Sequence, residues 1–112
     1  MPYISDENFS EYIFHFSFEL SVYAKNRELH FISYLFDMIR VESSKITNIH
    51  EFNELKYKKN INRAYSLFDV LCIIQNFSDT LYKLTRSKNL YFMNYIFGII
   101  NFESRNMIEL YK

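Results

Sequence analysis

Glu42 and Glu103 come closest in this chain to a catalytic arrangement, because each closes a strongly apolar stretch and each is followed by a serine. Two carboxylates brought together serve acid–base catalysis or hold a metal ion. A carboxylate at the end of a hairpin's second helix also lies near the start of its first helix, where free backbone N–H groups and the helix dipole favour it. That structural role is the expected one. His15, His30 and His50 lie far apart, with no His-x-x-x-His or Glu-x-x-His spacing to set two ligands on one helical face, so no metal site is expected. Cys72 stands between Leu71 and Ile73 in an apolar stretch with no neighbouring base to activate it, which predicts an inert buried thiol. The basic cluster Lys56, Lys58, Lys59 and Arg63, with Tyr57 among them and Tyr65 nearby, has the chemistry to hold phosphates while an aromatic ring stacks on a base. Glu51 and Glu54 beside it weaken that reading towards a solvated face.

Composition removes other classes. Gly98 is the one glycine, so no glycine-rich loop exists to let a backbone approach a phosphate, and nucleotide-binding folds are excluded. Thirteen basic and thirteen acidic residues balance, leaving no global field for nucleic acid or an anionic membrane. A single cysteine excludes an intrachain disulfide and fits a reducing, cytoplasmic setting. The beginning MPYISDENFSEY lacks the basic and apolar regions of a secretory signal. Apolar stretches broken by Ser33, Asp37 and Arg40, or by Asn94 and Asn101, fall short of a bilayer span, so no membrane partner is expected.

The elements that must position these residues are helical. One glycine and one proline in 112 residues leave almost no turn punctuation for hairpins or barrels. Phe9, Tyr12, Ile13, Phe16, Leu20, Tyr23 and Ala24 recur in steps of three and four, which predicts an amphipathic helix capped by Ser5 or Asp6. After Lys25-Asn26-Arg27-Glu28, a second helix over about 29–43 is apolar nearly all round, the pattern of a helix buried on two faces. A connection follows, with Thr47 or Asn48 able to cap a short helix over 49–59. A third main helix carries Ala64 to Leu84, either separate from the short one or fused to it, and a last helix runs over about 90–111.

The chain also repeats itself. LHFISYLFDMIRVESSKI at 29–46 aligns without gaps to LYFMNYIFGIINFESRNM at 90–107. Leu29, Phe31, Tyr34, Phe36, Glu42 and Ser43 are identical to Leu90, Phe92, Tyr95, Phe97, Glu103 and Ser104, where chance gives about one or two matches. The register extends back through Phe16/Phe77, Ser17/Ser78 and Leu20/Leu81 and pairs the turns Lys25-Asn26-Arg27 and Arg86-Ser87-Lys88. Duplication of one unit explains the preserved order and register; similar packing constraints acting on a biased composition are the alternative. The expected architecture is therefore all-α, four to five helices in a single domain over 1–112. Two tandem helical hairpins, repeat 16–46 and 77–107, pack as one bundle, with unit A at 9–46, a connecting segment at 47–63 and unit B at 64–111.

Within ELSVYAKNRELHFISYLFDMIRVES, the residues Leu20, Ala24, Leu29, Tyr34, Leu35, Asp37, Met38 and Glu42 resemble a group of small uncharacterised alphaproteobacterial proteins. Those proteins carry a helix, a short charged turn ending in Leu, and an apolar helix of YLLDMA-x-x-EA-like pattern. The resemblance covers residues 19–43 and departs at Ser43, and the second unit has Gly98 in place of Asp37. It implies a helical fold and a bacterial source and no activity.

The predicted core is Phe16, Leu20, Leu29, Ile32, Leu35, Phe36, Ile39, Leu71, Ile74, Phe77, Leu81, Met93, Ile96, Phe97 and Ile100. Ten Tyr and twelve Phe exceed what one small core hides. The expected function is accordingly non-catalytic: a protein–protein interaction or accessory protein, with no cofactor, working through an apolar aromatic surface as a homodimer or with another protein. Phe31, Tyr34, Phe92, Tyr95 and Gly98 are its candidate interface. Gly98 serves either close approach of a neighbouring helix or subunit, or stands on a solvent face. A small nucleic-acid-associated regulator using Lys56 to Arg63 is the alternative.

Overall fold

The computed structural model describes residues 6–47 and 65–111. Four helices account for nearly all of them: α1 at Asp6–Asn26, α2 at His30–Thr47, α3 at Leu67–Ser87 and α4 at Tyr91–Glu109. No strand occurs among the described residues. The expected short helix at 49–59 and the connecting segment at 47–63 fall outside them, apart from Thr47, which ends α2; Tyr65 and Ser66 lead into α3.

Both hairpins turn in the same way, residue for residue. Glu28 and Asn89, at equivalent register positions, take left-handed backbone conformations with φ of 61° and 60°. In the first turn Leu29 N–H donates to Ala24 O at 2.8 Å and Glu28 N–H to Lys25 O at 3.0 Å. In the second, Leu90 N–H donates to Thr85 O at 2.9 Å and Asn89 N–H to Arg86 O at 3.2 Å. These are the paired bonds of a Schellman ending, which caps the last carbonyls of a helix and reverses the chain. Two buried serines repeat as well: Ser43 Oγ donates to Ile39 O and Ser104 Oγ to Ile100 O, each at 2.8 Å.

The left-handed position usually carries glycine, because a Cβ there crowds the following carbonyl. Glu28 bears that cost in full, whereas asparagine tolerates the conformation. Glu28→Gly is therefore expected to stabilise the protein by about 0.5–1 kcal/mol, raising Tm by about 4 °C, and Asn89→Gly to change it by only a few tenths of a kcal/mol. Equal shifts in the two thermal melts would contradict this account of the turns.

α3 opens with a reciprocal cap. Asp69 N–H donates to Ser66 Oγ at 3.1 Å, and Ser66 N–H donates to the Asp69 carboxylate at 3.4 Å. Within each hairpin the helices pack along their length, α1 on α2 and α3 on α4, and the hairpins join through α2 with α4 and, over a smaller area, α1 with α3. Lys88, just beyond the end of α3, places its ammonium 5.1 Å from the ring centre of Phe9 at the start of α1. Phe92, near the start of α4, lies among residues 34–45 of α2. Equivalent helices thus run antiparallel across the junction. At its centre the equivalent residues Phe16 and Phe77 stack on each other, ring centres 5.7 Å apart. Contact between equivalent positions on antiparallel elements marks a two-fold relation, so the hairpins meet about a pseudo-two-fold axis running across the helices.

The core gathers on that axis. Phe36 and Phe97, equivalent and both fully buried, flank Phe77 at ring distances of 6.4 and 6.1 Å. Thirteen of the fifteen predicted core residues are buried, the two others being Phe16 and Phe77. Phe77 is half-buried against the core. Phe16 is 39% exposed, because α1 and α3 share only a small contact and leave part of its ring to solvent. Phe14 and Phe18, off the stripe that defined the first helix, are buried in addition. Ser10 and Ser17 bury hydroxyls that have no hydrogen-bond partner, so it is their small volume that the packing uses.

α2 departs from its sequence pattern in an informative way. Ile32, Leu35, Phe36 and Ile39 are buried, as expected, but the opposite stripe is not: Phe31, Tyr34 and Val41 are all more than half exposed. The helix is apolar on two faces and buried on one.

Candidate functional site

The exposed stripe of α2 consists of Phe31, Tyr34, Met38 and Val41, in the steps of three and four that keep residues on one side of a helix. The repeat sets Phe92, Tyr95, Ile99 and Phe102 at the same positions on α4. Of these eight, only Met38 and Ile99 are partly covered; Tyr34 is 59%, Tyr95 67% and Phe102 63% exposed. Phe92 joins Tyr34, Asp37, Met38, Val41, Glu42 and Lys45 in lining a shallow groove of about 300 Å³, so the stripes of α2 and α4 form a continuous face. Its rim carries both signs of charge. Asp37 lines the groove, Glu42 and Lys45 approach to 3.4 Å, and Glu103 and Arg105 stand on α4.

Phe31, Tyr34, Phe92 and Tyr95, chosen from sequence as interface candidates, thus share one face. Gly98 does not. It packs inside its own hairpin, where a Cβ would lie 3.1 Å from Cε2 and 3.4 Å from Cδ2 of Tyr82. Close approach is therefore the reason for this glycine, and the approaching group is a ring from the preceding helix. The equivalent pair in the first hairpin is Ser21 and Asp37, whose side chains hydrogen-bond at 2.8 Å. Small and large have changed places between units: serine beneath aspartate in one, tyrosine over glycine in the other.

Ser21 also lies 3.0 Å from Ser33 Oγ, and with Asp37, Arg40, Lys25 and Phe18 it borders a groove of about 360 Å³. A serine hydroxyl on a carboxylate lacks the imidazole that would take its proton, and the set braces α1 against α2. The second hairpin is braced at the same level by Asn94, whose amide donates to Tyr82 O at 2.7 Å.

Glu42 pairs with Lys45 on its own helix, and neither a hydrogen bond nor an ion pair links it to Glu103, which is half-buried on α4. His15 approaches Glu11 at 3.8 Å and His30 is exposed; His50 lies outside the described residues. Among the described residues no three His, Cys, Asp or Glu side chains gather as a metal site would require. Cys72 is half-buried and not enclosed, contrary to expectation, because α3 turns that side towards the bundle margin. Lys56, Lys58, Lys59 and Arg63 lie outside the described residues. No described helix is long and apolar enough to cross a membrane.

On the opposite side, a groove of about 610 Å³ runs between the start of α1 and the latter half of α3, lined by Phe9, Tyr12, Phe77, Leu81 and Leu84 with Asn8, Asn76 and Thr80. At the pseudo-symmetric place Tyr65 packs edge-on against Tyr23, ring centres 6.2 Å apart, and its carbonyl accepts a hydrogen bond from Arg27. Sequence reasoning placed Tyr65 beside a basic cluster and not against α1. Comparison with known protein families, curated proteins and solved structures finds no match for the chain.

Proposed function

We propose that this is a non-catalytic interaction protein whose working surface is the α2–α4 face. The observation that carries the reading is the exposure of Phe31, Tyr34, Val41, Phe92, Tyr95 and Phe102 on one continuous face, at repeat-equivalent positions. Large apolar patches of this kind, rimmed by polar residues, are characteristic of protein–protein contact surfaces. Folding does not require aromatic residues there, since polar side chains on a solvent face cost almost nothing. The absence of a one-sign charge field argues against an anionic partner as the occupant of this face. A single half-buried thiol fits a cytoplasmic setting.

The test is site-specific photocrosslinking in the native cell, with benzoylphenylalanine at position 34, at 95, or at 12 as a control. Tyr12 is 47% exposed and stands on α1, on the opposite side of the bundle. Protein adducts from 34 and 95, and none from 12, are the expected result. Adducts equally abundant at all three positions, or absent from 34 and 95, would end the proposal.

A further inference from the structure

We infer that the partner of the α2–α4 face is a second copy of this chain, packed face to face about a two-fold axis. The inference rests on reading that face as an interaction surface and adds the identity of what covers it. Three properties of the face point to self-association.

The first is area. Five aromatics and one valine at roughly half exposure present on the order of 600 Å² of apolar surface, an aromatic side chain burying about 150–250 Å² in full. With their neighbours they approach the roughly 800 Å² per partner of a stable interface and reach the upper limit of what a monomer usually exposes. The second is charge. A two-fold interface meets itself, so it must carry both signs or neither. Glu42 with Lys45 on one stripe, and Glu103 with Arg105 on the other, meet that condition, and a net charge of zero removes long-range repulsion between copies.

The third is symmetry. The pseudo-axis relating the hairpins passes between α2 and α4 and leaves the molecule through this face. A two-fold dimer makes every contact twice, and equivalence of the stripes makes it nearly twice again. Whatever Tyr34 touches, Tyr95 touches in almost the same way. Four near-identical contacts then reinforce one favourable pairing, and they equally multiply any substitution that spoils it.

Light scattering coupled to size exclusion, run on the full chain at tens of micromolar, is expected to give twice the 13.7 kDa of one chain. Tyr34→Lys with Tyr95→Lys sets four lysines in the interface and should weaken association by at least about 100-fold, whereas Tyr12→Lys, on α1, should leave it unchanged. Tyr34→Ser with Tyr95→Ser is the milder second variant, and circular dichroism verifies that each variant is folded. A wild-type monomer, a dimer that survives the double lysine substitution in folded protein, or a dimer lost equally to Tyr12→Lys would each overturn the inference. A wild-type monomer that still gives heterologous adducts from positions 34 and 95 in the cell removes the second copy alone. Loss of those adducts as well removes the interaction surface itself.

Discussion

Phe97→Ala is expected to lower the stability of this protein by about 3–5 kcal/mol, and Phe36→Ala by nearly as much. Both rings are fully buried and both border Phe77 at the pseudo-axis, where hairpin meets hairpin. A cavity at that place is walled by four helices, none of which can close it without parting from another, so relaxation is poor and the cavity term is large. The loss is a large share of the roughly 5–15 kcal/mol that a domain of this size has in total. Phe16→Ala provides the contrast: its ring is 39% exposed, and about 1 kcal/mol is expected. Urea melts of the three variants check the order. Phe36 and Phe97 share a neighbour, so the double variant should lose less than the two single losses together. A Phe97→Ala midpoint within error of the parent, or of Phe16→Ala, would refute the placement of the aromatic cluster.

Much of this arrangement is legible in the sequence because helical packing leaves a periodic trace. The helices, their pairing and the repeat register follow from apolar spacing and from the match of 29–46 with 90–107. What periodicity does not encode is how far two helices overlap. Phe16 lies on the apolar stripe of α1 and is still partly exposed, since α1 and α3 share only a small contact. Phe31, Tyr34 and Val41 show the same limit from the other direction. An apolar residue on a second face is a residue awaiting a partner, and a single chain does not say whether that partner is inside it. The turns were hidden for a different reason. A left-handed helix ending announces itself through glycine, and here glutamate and asparagine occupy it, so only the repeat, which sets Glu28 against Asn89, gives any sign. Tyr65 on Tyr23 has no local signal at all, being a contact between residues far apart in the chain.

The exchange at Gly98 was legible in part, since the register pairs Asp37 with Gly98 and Ser21 with Tyr82, yet only the structure shows that the two differing positions touch in each hairpin. The Tyr82 ring leaves little room at position 98, lying 3.1 Å from where a Cβ would be. Gly98→Ala asks the half-buried ring to move by a few tenths of an ångström and gains up to about 1 kcal/mol in helix propensity, so a near-neutral result is expected. Gly98→Asp must expel the ring and should cost roughly 1–3 kcal/mol. Tyr82→Ser forfeits the ring's contacts and should cost a similar amount, on the order of 2 kcal/mol. Made together, the two substitutions rebuild the pairing of the first hairpin, in which Ser21 donates to Asp37 at 2.8 Å. The double variant should therefore recover at least about 1 kcal/mol relative to the sum of the single losses. This thermodynamic cycle, read from urea midpoints, also tests whether the two hairpins share one backbone plan at this level, because only then does one accept the other's side-chain pair. Strictly additive losses would mean that the two hairpins merely resemble each other at this level, and that Tyr82 and Gly98 are not alternatives to Ser21 and Asp37.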